Sequence, residues 1–125
     1  MNKEIKILVV DDFATMRKIV TGMLLKIGLS NITEADSGLT GWETVQASGP
    51  YDLIISDVNM PDMDGIEFLE KVRGDSQHSP TKFLLLTAEN DQEYIIASRE
   101  FKVDGYILKP FKQDLIEAKI VSLFP

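Results

Sequence analysis

Short apolar segments recur along the chain, each about the length of a single β-strand. Residues 5–10 read IKILVV, an almost unbroken apolar run rich in β-branched residues. Such a run is typical of a strand that is buried on both faces. LIIS and FLLLTA have the same character, whereas NITEA and GYIL are weaker. The pattern therefore predicts five strands, at residues 5–10, 31–35, 53–56, 83–88 and 105–108.

The segments between these strands carry apolar residues at helical spacing. In the first of them Met16, Val20, Leu24 and Ile27 form part of one apolar stripe, and Gly28 follows it. A glycine directly after such a stripe is a common helix end. Four further segments have similar spacing, so the sequence predicts helices near residues 16–27, 39–47, 66–72, 91–101 and 113–124.

The predicted order is strand then helix, five times over. Strands that are separated by helices favour a parallel sheet with helices on both of its faces. No segment has the composition of an interdomain linker. We therefore expect an α/β fold, a doubly wound sheet formed by one domain over residues 1–125, with no effector domain. Ligands of such sheets bind beyond the carboxyl ends of the strands.

Composition excludes several kinds of site. The 125 residues include no Cys and one His, which excludes thiol chemistry and argues against a zinc site. The net charge of −7 argues against a nucleic-acid partner, because phosphate binding needs a basic surface. No run approaches the ~20 apolar residues that span a bilayer, and the start of the chain lacks a signal-peptide pattern. A cytoplasmic protein without a membrane partner is expected.

Charged and hydroxyl side chains follow four of the predicted strands. Asp11 and Asp12 end the first strand, Asp57 the third, Thr87 the fourth and Lys109 the fifth. Three carboxylates at one sheet edge need a counter-charge, and oxygen ligands of this kind suit Mg²⁺. A metal ion, a lysine and a hydroxyl together suit a phosphoryl group, and an aspartate can itself be the nucleophile.

The acidic stretch SDVNMPDMDG, residues 56–65, also invites comparison with a calcium-binding loop. An EF-hand needs an acid at position 1, Gly at position 6 and Glu at position 12. Placing Gly65 at position 6 puts Met60 first and Lys71 last, and starting from Asp57 puts Asp62 where Gly is required. The EF-hand interpretation therefore fails.

Four stretches resemble the receiver domain of two-component response regulators, and most closely its single-domain chemotaxis regulators. They are ILVVDDFATMRKIV (7–20), IISDVNMPDMDGIEFL (54–69), LLLTAEN (84–90) and DGYILKPF (104–111). They occur in the family's order and span nearly the whole chain. The resemblance implies a flavodoxin-like (βα)5 sandwich whose five-stranded parallel sheet has the order 2-1-3-4-5.

The resemblance also implies a metal-dependent phosphoacceptor site. Asp57 would receive the phosphoryl group. Asp12 would bind Mg²⁺ directly and Asp11 through water, with Asp57 and the backbone carbonyl of Asn59 as further ligands. Mg²⁺ is thus the expected cofactor.

Further roles follow from the same family pattern. Thr87 and Lys109 would hold the phosphoryl oxygens, and the Lys109–Pro110 bond would be cis. Tyr106 would turn inward as Thr87 moves towards the phosphate. Asn59 and Glu89 would modulate the lifetime of the phosphorylated form. The partner surface would be formed by helix 4, strand 5 and helix 5, with Ile95, Tyr106, Leu108, Phe111 and Lys119 as its residues.

The expected function is that of a stand-alone signalling switch and not of a turnover enzyme. It would take its phosphoryl group from the phosphohistidine of a chemotaxis-type sensor histidine kinase. As a monomer it would then bind partner proteins, for which a flagellar switch protein and a phosphatase are the candidates. A phosphorelay intermediate is the alternative. A small aspartyl-phosphate phosphatase fits less well, because Asn59 lacks the acid that such an enzyme needs.

A few positions depart from the family pattern. Lys102 replaces a common Gly, and we expect the loop there to change shape because lysine adopts a left-handed conformation at a cost. Gly41 replaces Ala and should weaken its helix by up to ~1 kcal/mol. Val58 replaces a common Trp and should alter the rim of the site, and Ser122 replaces a lysine. His78, in a polar stretch, is expected to be solvated.

Overall fold

The strands form one parallel sheet at the centre of the molecule. The structure is a computed structural model and describes residues 1–88 and 92–125. The strand order is β2-β1-β3-β4-β5, with every neighbouring pair parallel, which confirms the predicted topology. The strands are β1 (Ile7–Val10), β2 (Ile32–Ala35), β3 (Leu53–Asp57), β4 (Lys82–Ala88) and β5 (Gly105–Lys109).

Five helices alternate with the strands along the chain and cover both faces of the sheet. They are α1 (Ala14–Ile27), α2 (Gly38–Ser48), α3 (Gly65–Gly74), α4 (Gln92–Glu100) and α5 (Gln113–Leu123). These bounds confirm the helices predicted from hydrophobic spacing, apart from shifts of a few residues at their ends. Within residues 1–88 and 92–125, none of the helices has the length and apolar character that crossing a membrane requires.

The alternation of side chains along each strand divides the core into two hydrophobic clusters. The α1/α5 cluster contains Ile5, Ile7, Val9, Val20, Leu24, Ile27, Leu29, Leu53, Ile55, Leu84, Leu86, Ile107, Ile116 and Ile120. The α2/α3/α4 cluster contains Leu8, Val10, Ala35, Val45, Tyr51, Ile54, Val58, Met60, Ile66, Phe68, Leu69, Val72, Phe83 and Leu85. Each large apolar side chain buried in them contributes about 1.5–3 kcal/mol, so these clusters account for most of the fold's stability.

Local signals determine where the helices begin and end. Gly28 follows α1 with a φ of 95°, a left-handed conformation that glycine adopts without steric cost. Ser37 caps α2 by accepting a hydrogen bond from the Thr40 backbone N–H. Asp64 caps α3 in the same way, accepting from the Glu67 N–H at 2.8 Å. Asp64 is therefore a turn residue whose carboxylate serves the helix that follows β3.

Two positions that depart from the family pattern, Gly41 and Val58, are buried, and so is His78. Gly41 lies against the Phe68 ring, where an added Cβ would come within 3.1 Å, so the missing methyl group makes room for the core. Val58 is 1% exposed within the α2/α3/α4 cluster, so it changes core packing and not the rim of the site. The expectation for His78 was wrong, since it is 4% exposed and its ring makes a T-shaped contact with Trp42, with the ring centroids 6.0 Å apart.

The loop between α4 and β5 keeps the left-handed turn that Lys102 was expected to lose. Lys102 has a φ of 57°, so the expectation of a changed loop shape was wrong. Its carbonyl accepts hydrogen bonds from Arg73 Nε at 3.2 Å and Nη2 at 3.1 Å. Tertiary contacts therefore hold a lysine in a conformation that costs a non-glycine residue about 1–2 kcal/mol.

The left-handed conformation of Lys102 leads to a prediction about the free energy of unfolding. Lys102→Gly should raise the free energy of unfolding by about 0.5–1 kcal/mol. Glycine removes the cost of the left-handed conformation in the folded state, and this gain exceeds the loss from the greater conformational freedom of glycine in the unfolded chain. Urea unfolding measures this change. Lys18→Gly, on the exposed face of α1, is the control and should lower stability by about 1 kcal/mol. A decrease in both variants would contradict the assignment of strain.

Candidate phosphoryl-transfer site

The register of the sheet brings the strand-end residues together. Asp11, Asp57 and Lys109 each stand two positions after a residue of the α1/α5 cluster. Because side chains alternate along a strand, residues two apart are on the same face. β1 pairs with β3, β3 with β4 and β4 with β5, all in parallel. The three side chains therefore converge beyond the carboxyl edge of the sheet, as the sequence predicted.

Three carboxylates share this space with one ammonium group. One oxygen from each of Asp11, Asp12 and Asp57 lies within 4.8 Å of the other two. Lys109 Nζ donates to Asp57 Oδ1 at 2.8 Å and lies 3.9 Å from Asp11 Oδ2. With all three acids ionised, the lysine leaves two uncompensated negative charges. That charge matches a divalent cation.

Asp57 is held from two sides. Its Oδ1 accepts from the Val58 backbone N–H at 2.9 Å as well as from Lys109. The residue is 5% exposed. Gly65 packs directly against its backbone, since a Cβ there would lie 2.3 Å from the Asp57 carbonyl oxygen. The absence of a side chain at Gly65 therefore lets α3 begin immediately beside the end of β3.

Asp11 is the most deeply buried acid of the cluster, at 1% exposed. Burial raises the pKa of its carboxyl group, and the nearby charges of Asp57 and Asp12 act in the same direction. The Phe13 backbone N–H and Lys109 oppose this by favouring the ionised form. Asp11 Oδ2 and Asp12 Oδ1 are both buried and accept no hydrogen bond from the described residues. Two buried acceptors without donors suit a cation.

This electrostatic strain leads to a prediction for the metal-free protein. An acid whose pKa is raised by folding destabilises the fold as the pH rises from its ordinary 3.8 through the raised value. Asp11→Asn removes the destabilisation that comes from ionising this buried acid. It also removes the ion pair with Lys109, and it keeps an acceptor for the Phe13 N–H. In EDTA at pH 7 the variant should be more stable by on the order of 1 kcal/mol.

Urea unfolding at pH 7 and near pH 4 tests this prediction, since the difference between Asp11→Asn and the parent should shrink as the pH falls. Glu70→Gln, which removes an exposed carboxylate on α3, is the matched control and should change little. A destabilised Asp11→Asn at pH 7 would show that the ion pair outweighs burial and repulsion.

The other predicted site residues that the structure describes are at the ends of β4 and β5 and in the loop after β3. Thr87 is buried at the end of β4, where its Oγ1 donates to the Ala88 carbonyl at 3.3 Å. Asn59 is exposed in the loop between β3 and α3. The Lys109–Pro110 bond is cis, as expected. Glu89, predicted to affect the phosphate lifetime, lies outside the described residues.

The predicted partner surface lies at one edge of the sheet. Its residues are on α4, β5, α5 and the loop between β5 and α5, and each is at least partly exposed: Ile95, Tyr106, Leu108, Phe111 and Lys119. Tyr106 packs against the α2/α3/α4 cluster, whereas Phe111 packs against the α1/α5 cluster. Ile96, at 61% exposed, and Leu115, at 42%, are also on this edge and were not predicted.

Sequence reasoning also missed Arg17, which contacts the turn that carries the acid pair. Its Nη1 donates to the Asp11 carbonyl at 2.6 Å. The spacing of six residues between Asp11 and Arg17 is consistent with a contact back across the first turns of α1. An arginine six residues after a strand-end acid was the feature of the sequence that could have indicated this contact.

Comparisons with known proteins agree with this geometry. The response regulator receiver domain matches residues 7–121. The chain is 41% identical over 124 residues to chemotaxis protein CheY-3 of Vibrio cholerae serotype O1, covering 99% of this chain and 95% of that one. It is 40% identical over 119 residues to chemotaxis protein CheY of Pseudomonas aeruginosa, covering 95% of each.

Solved structures agree as well. Chemotaxis response regulator CheY4 of Vibrio cholerae superposes with a TM-score of 0.87 at 32% identity, covering 97% of this chain and 99% of that chain. The sheet order, the strand-end acids and the near-complete sequence match therefore lead to one conclusion. The chain belongs to the family of response regulator receiver domains and is similar to the chemotaxis proteins CheY.

Proposed function

We propose that this protein is a phosphorylation-controlled signalling switch of a chemotaxis two-component system, with Asp57 as the phosphoacceptor. One observation carries the proposal: Asp57 lies at the sheet edge with its Oδ1 on Lys109 Nζ at 2.8 Å, beside two further carboxylates. That arrangement gives a nucleophilic oxygen, a fixed cation and space for a divalent metal at one point.

The residues of the cluster fit Mg²⁺. Asp11 Oδ2 and Asp12 Oδ1 are buried acceptors without donors among the described residues. With its three acids ionised, the cluster has two more negative charges than Lys109 compensates. Asp12 and Asp57 would bind the ion directly, Asp11 through water, and the Asn59 carbonyl would complete the protein ligands. Bound Mg²⁺ would neutralise charge on the transferring phosphoryl oxygens.

The chemistry at Asp57 is a displacement at phosphorus. An Asp57 carboxylate oxygen attacks the phosphorus of a phosphohistidine, the P–N bond breaks, and its electron pair stays on the imidazole, which takes up a proton. Lys109 balances charge on the incoming oxygens. Attack by water on the same phosphorus later releases inorganic phosphate and restores the carboxylate. The protein thus promotes its own phosphorylation and dephosphorylation and is a switch, not a turnover enzyme.

The phosphoryl group then changes the balance between two arrangements of Thr87 on β4 and Tyr106 on β5. It adds about −1.5 to −2 charges and new acceptor oxygens, which Thr87 and Lys109 bond in only one arrangement. Tyr106 fills the space that Thr87 vacates. This differential bonding shifts the population towards a state that exposes a new partner surface. Asn59 and Glu89 set how long that state lasts.

The proposed partners follow from this cycle. A CheA-like sensor histidine kinase donates the phosphoryl group. The surface of α4, β5 and α5 binds a flagellar switch protein, and a phosphatase ends the signal. Leu108, at 40% exposed on the edge strand β5, is the apolar centre of this surface.

The proposal is tested by incubating the protein with acetyl phosphate and MgCl₂ and reading the intact mass. We expect one added phosphoryl group, absent in EDTA and lost on treatment with hydroxylamine, which cleaves acyl phosphates. Peptide mapping should place it within residues 54–69. A protein that gains no phosphoryl group and releases no phosphate would contradict the proposed chemistry and leave only a binding role.

A further inference from the structure

Arg17 connects the turn that carries the acid pair to the neighbouring strand β2. Its Nη1 donates to the Asp11 carbonyl at 2.6 Å, and its Nε donates to Glu34 Oε1 at 3.1 Å. The arginine side chain is 18% exposed. One planar guanidinium therefore bridges a strand-end backbone carbonyl and an acid on β2, which a single ammonium group does less well.

The position of Asp12 depends on the peptide group that joins it to Asp11. Asp12 Oδ1 is buried and accepts no hydrogen bond from the described residues, so such bonds do not fix it. The peptide that joins Asp11 to Asp12 begins at the carbonyl that Arg17 holds. The Asp11 N–H donates to the Ala35 carbonyl at 3.2 Å, and the Phe13 N–H donates to Asp11 Oδ1 at 2.9 Å. These two bonds restrain the turn on either side of that carbonyl.

We propose that Arg17 is a positioning residue for the divalent cation, acting through the Asp11–Asp12 peptide. The inference rests on the proposed function, because it assigns Arg17 to the metal site described there. Arg17 touches neither the cation nor the phosphoryl group in this role. It holds the backbone so that the orphaned oxygens of Asp11 and Asp12 are directed at one point before the cation arrives.

Charge and positioning make opposite predictions for the loss of Arg17. Arg17 is a cation beside a cluster of carboxylates, so Coulomb's law alone makes its removal strengthen Mg²⁺ binding. Loss of a bond that orients the ligand backbone weakens Mg²⁺ binding, and orienting partners of metal ligands typically contribute about tenfold or more in affinity. The direction of the change therefore separates the two effects.

Calorimetric titration with MgCl₂ of the metal-free protein measures this direction. We expect the Kd for Mg²⁺ to rise about tenfold in Arg17→Met. Arg17→Lys, which keeps the positive charge but loses the planar guanidinium with its several donors, should show a smaller rise in this Kd. Lys18→Met removes an exposed positive charge from the adjacent position on α1 and should bind Mg²⁺ as the parent does. Circular dichroism in EDTA confirms that each variant is folded.

The Mg²⁺ concentration for half-maximal phosphoryl uptake from acetyl phosphate should rise by the same factor. An unchanged or lower Kd in Arg17→Met would overturn the role of Arg17 and leave the proposed function intact. Should that variant not fold, Arg17→Lys decides, and parent-like affinity in it would overturn the role. A parent protein that binds no Mg²⁺ would overturn both proposals.

Discussion

Asp57→Asn is expected to abolish Mg²⁺-dependent uptake of a phosphoryl group from acetyl phosphate. The amide keeps an Oδ1 acceptor for the Val58 N–H at 2.9 Å and for Lys109 Nζ at 2.8 Å. The fold and the lysine contact are therefore retained, whereas the nucleophilic carboxylate is lost. The measurement is intact mass after incubation with MgCl₂, and the expected adduct falls below detection.

The matched control for this variant is Asp62→Asn. Asp62 is exposed in the same β3–α3 loop, and its φ of 68° is one that asparagine also tolerates. The same change of charge therefore occurs nearby without touching the cluster, and uptake should equal that of the parent. A full adduct on Asp57→Asn would place the phosphoacceptor on another carboxylate, with Asp11 and Asp12 as the next candidates.

Arg73→Met is expected to lower the free energy of unfolding by about 3 kcal/mol. Arg73 Nη1 donates to the carbonyls of Ser79 and Thr81 at 2.9 and 2.7 Å, and Nη2 donates to Asp104 Oδ2 at 2.7 Å. It also donates twice to the carbonyl of Lys102. One side chain, 13% exposed, thus joins the end of α3 to the loops that precede β4 and β5.

The loss should appear as a decrease in Tm of roughly 10 °C for a chain of this size, measured by thermal unfolding followed by circular dichroism. Methionine keeps a stem comparable to that of arginine and lacks the guanidinium group, so lost hydrogen bonds and not lost packing dominate the effect. Arg99→Met, on the exposed side of α4, is the control and should change stability by less than about 0.5 kcal/mol. Arg73→Lys should fall between them. A loss below about 1 kcal/mol in Arg73→Met would mean that water replaces the arginine bonds.

The partner surface shows where prediction from the sequence reaches its limit. The family resemblance placed Ile95 of α4 on the partner surface, whereas its neighbour Ile96 was not predicted. In the structure Ile96 is the more exposed of the two. Periodicity identifies an apolar stripe, but which of two adjacent residues faces outward depends on where the helix packs. That position is determined by contacts with residues distant in the chain.

Local patterns in the chain were sufficient to predict the order of strands and helices, the parallel sheet and the identity of the strand-end residues. These features follow from local periodicity, helix-ending residues such as Gly28, and the rule that parallel strands direct their carboxyl ends to one edge. The cluster of Asp11, Asp57 and Lys109 could be predicted because each residue ends or directly follows a predicted strand.

The conformation of Lys102, the burial of His78 and the contacts of Arg17 with Asp11 and Glu34 depend on tertiary packing. The left-handed turn at Lys102 is held by Arg73, which lies 29 residues away in sequence. His78 is in a polar stretch, yet packing against Trp42 of α2 encloses it. Each of these features depends on contacts between residues that are distant in the sequence. The energy of those contacts outweighs the local conformational preference, so the features cannot be predicted from neighbouring residues.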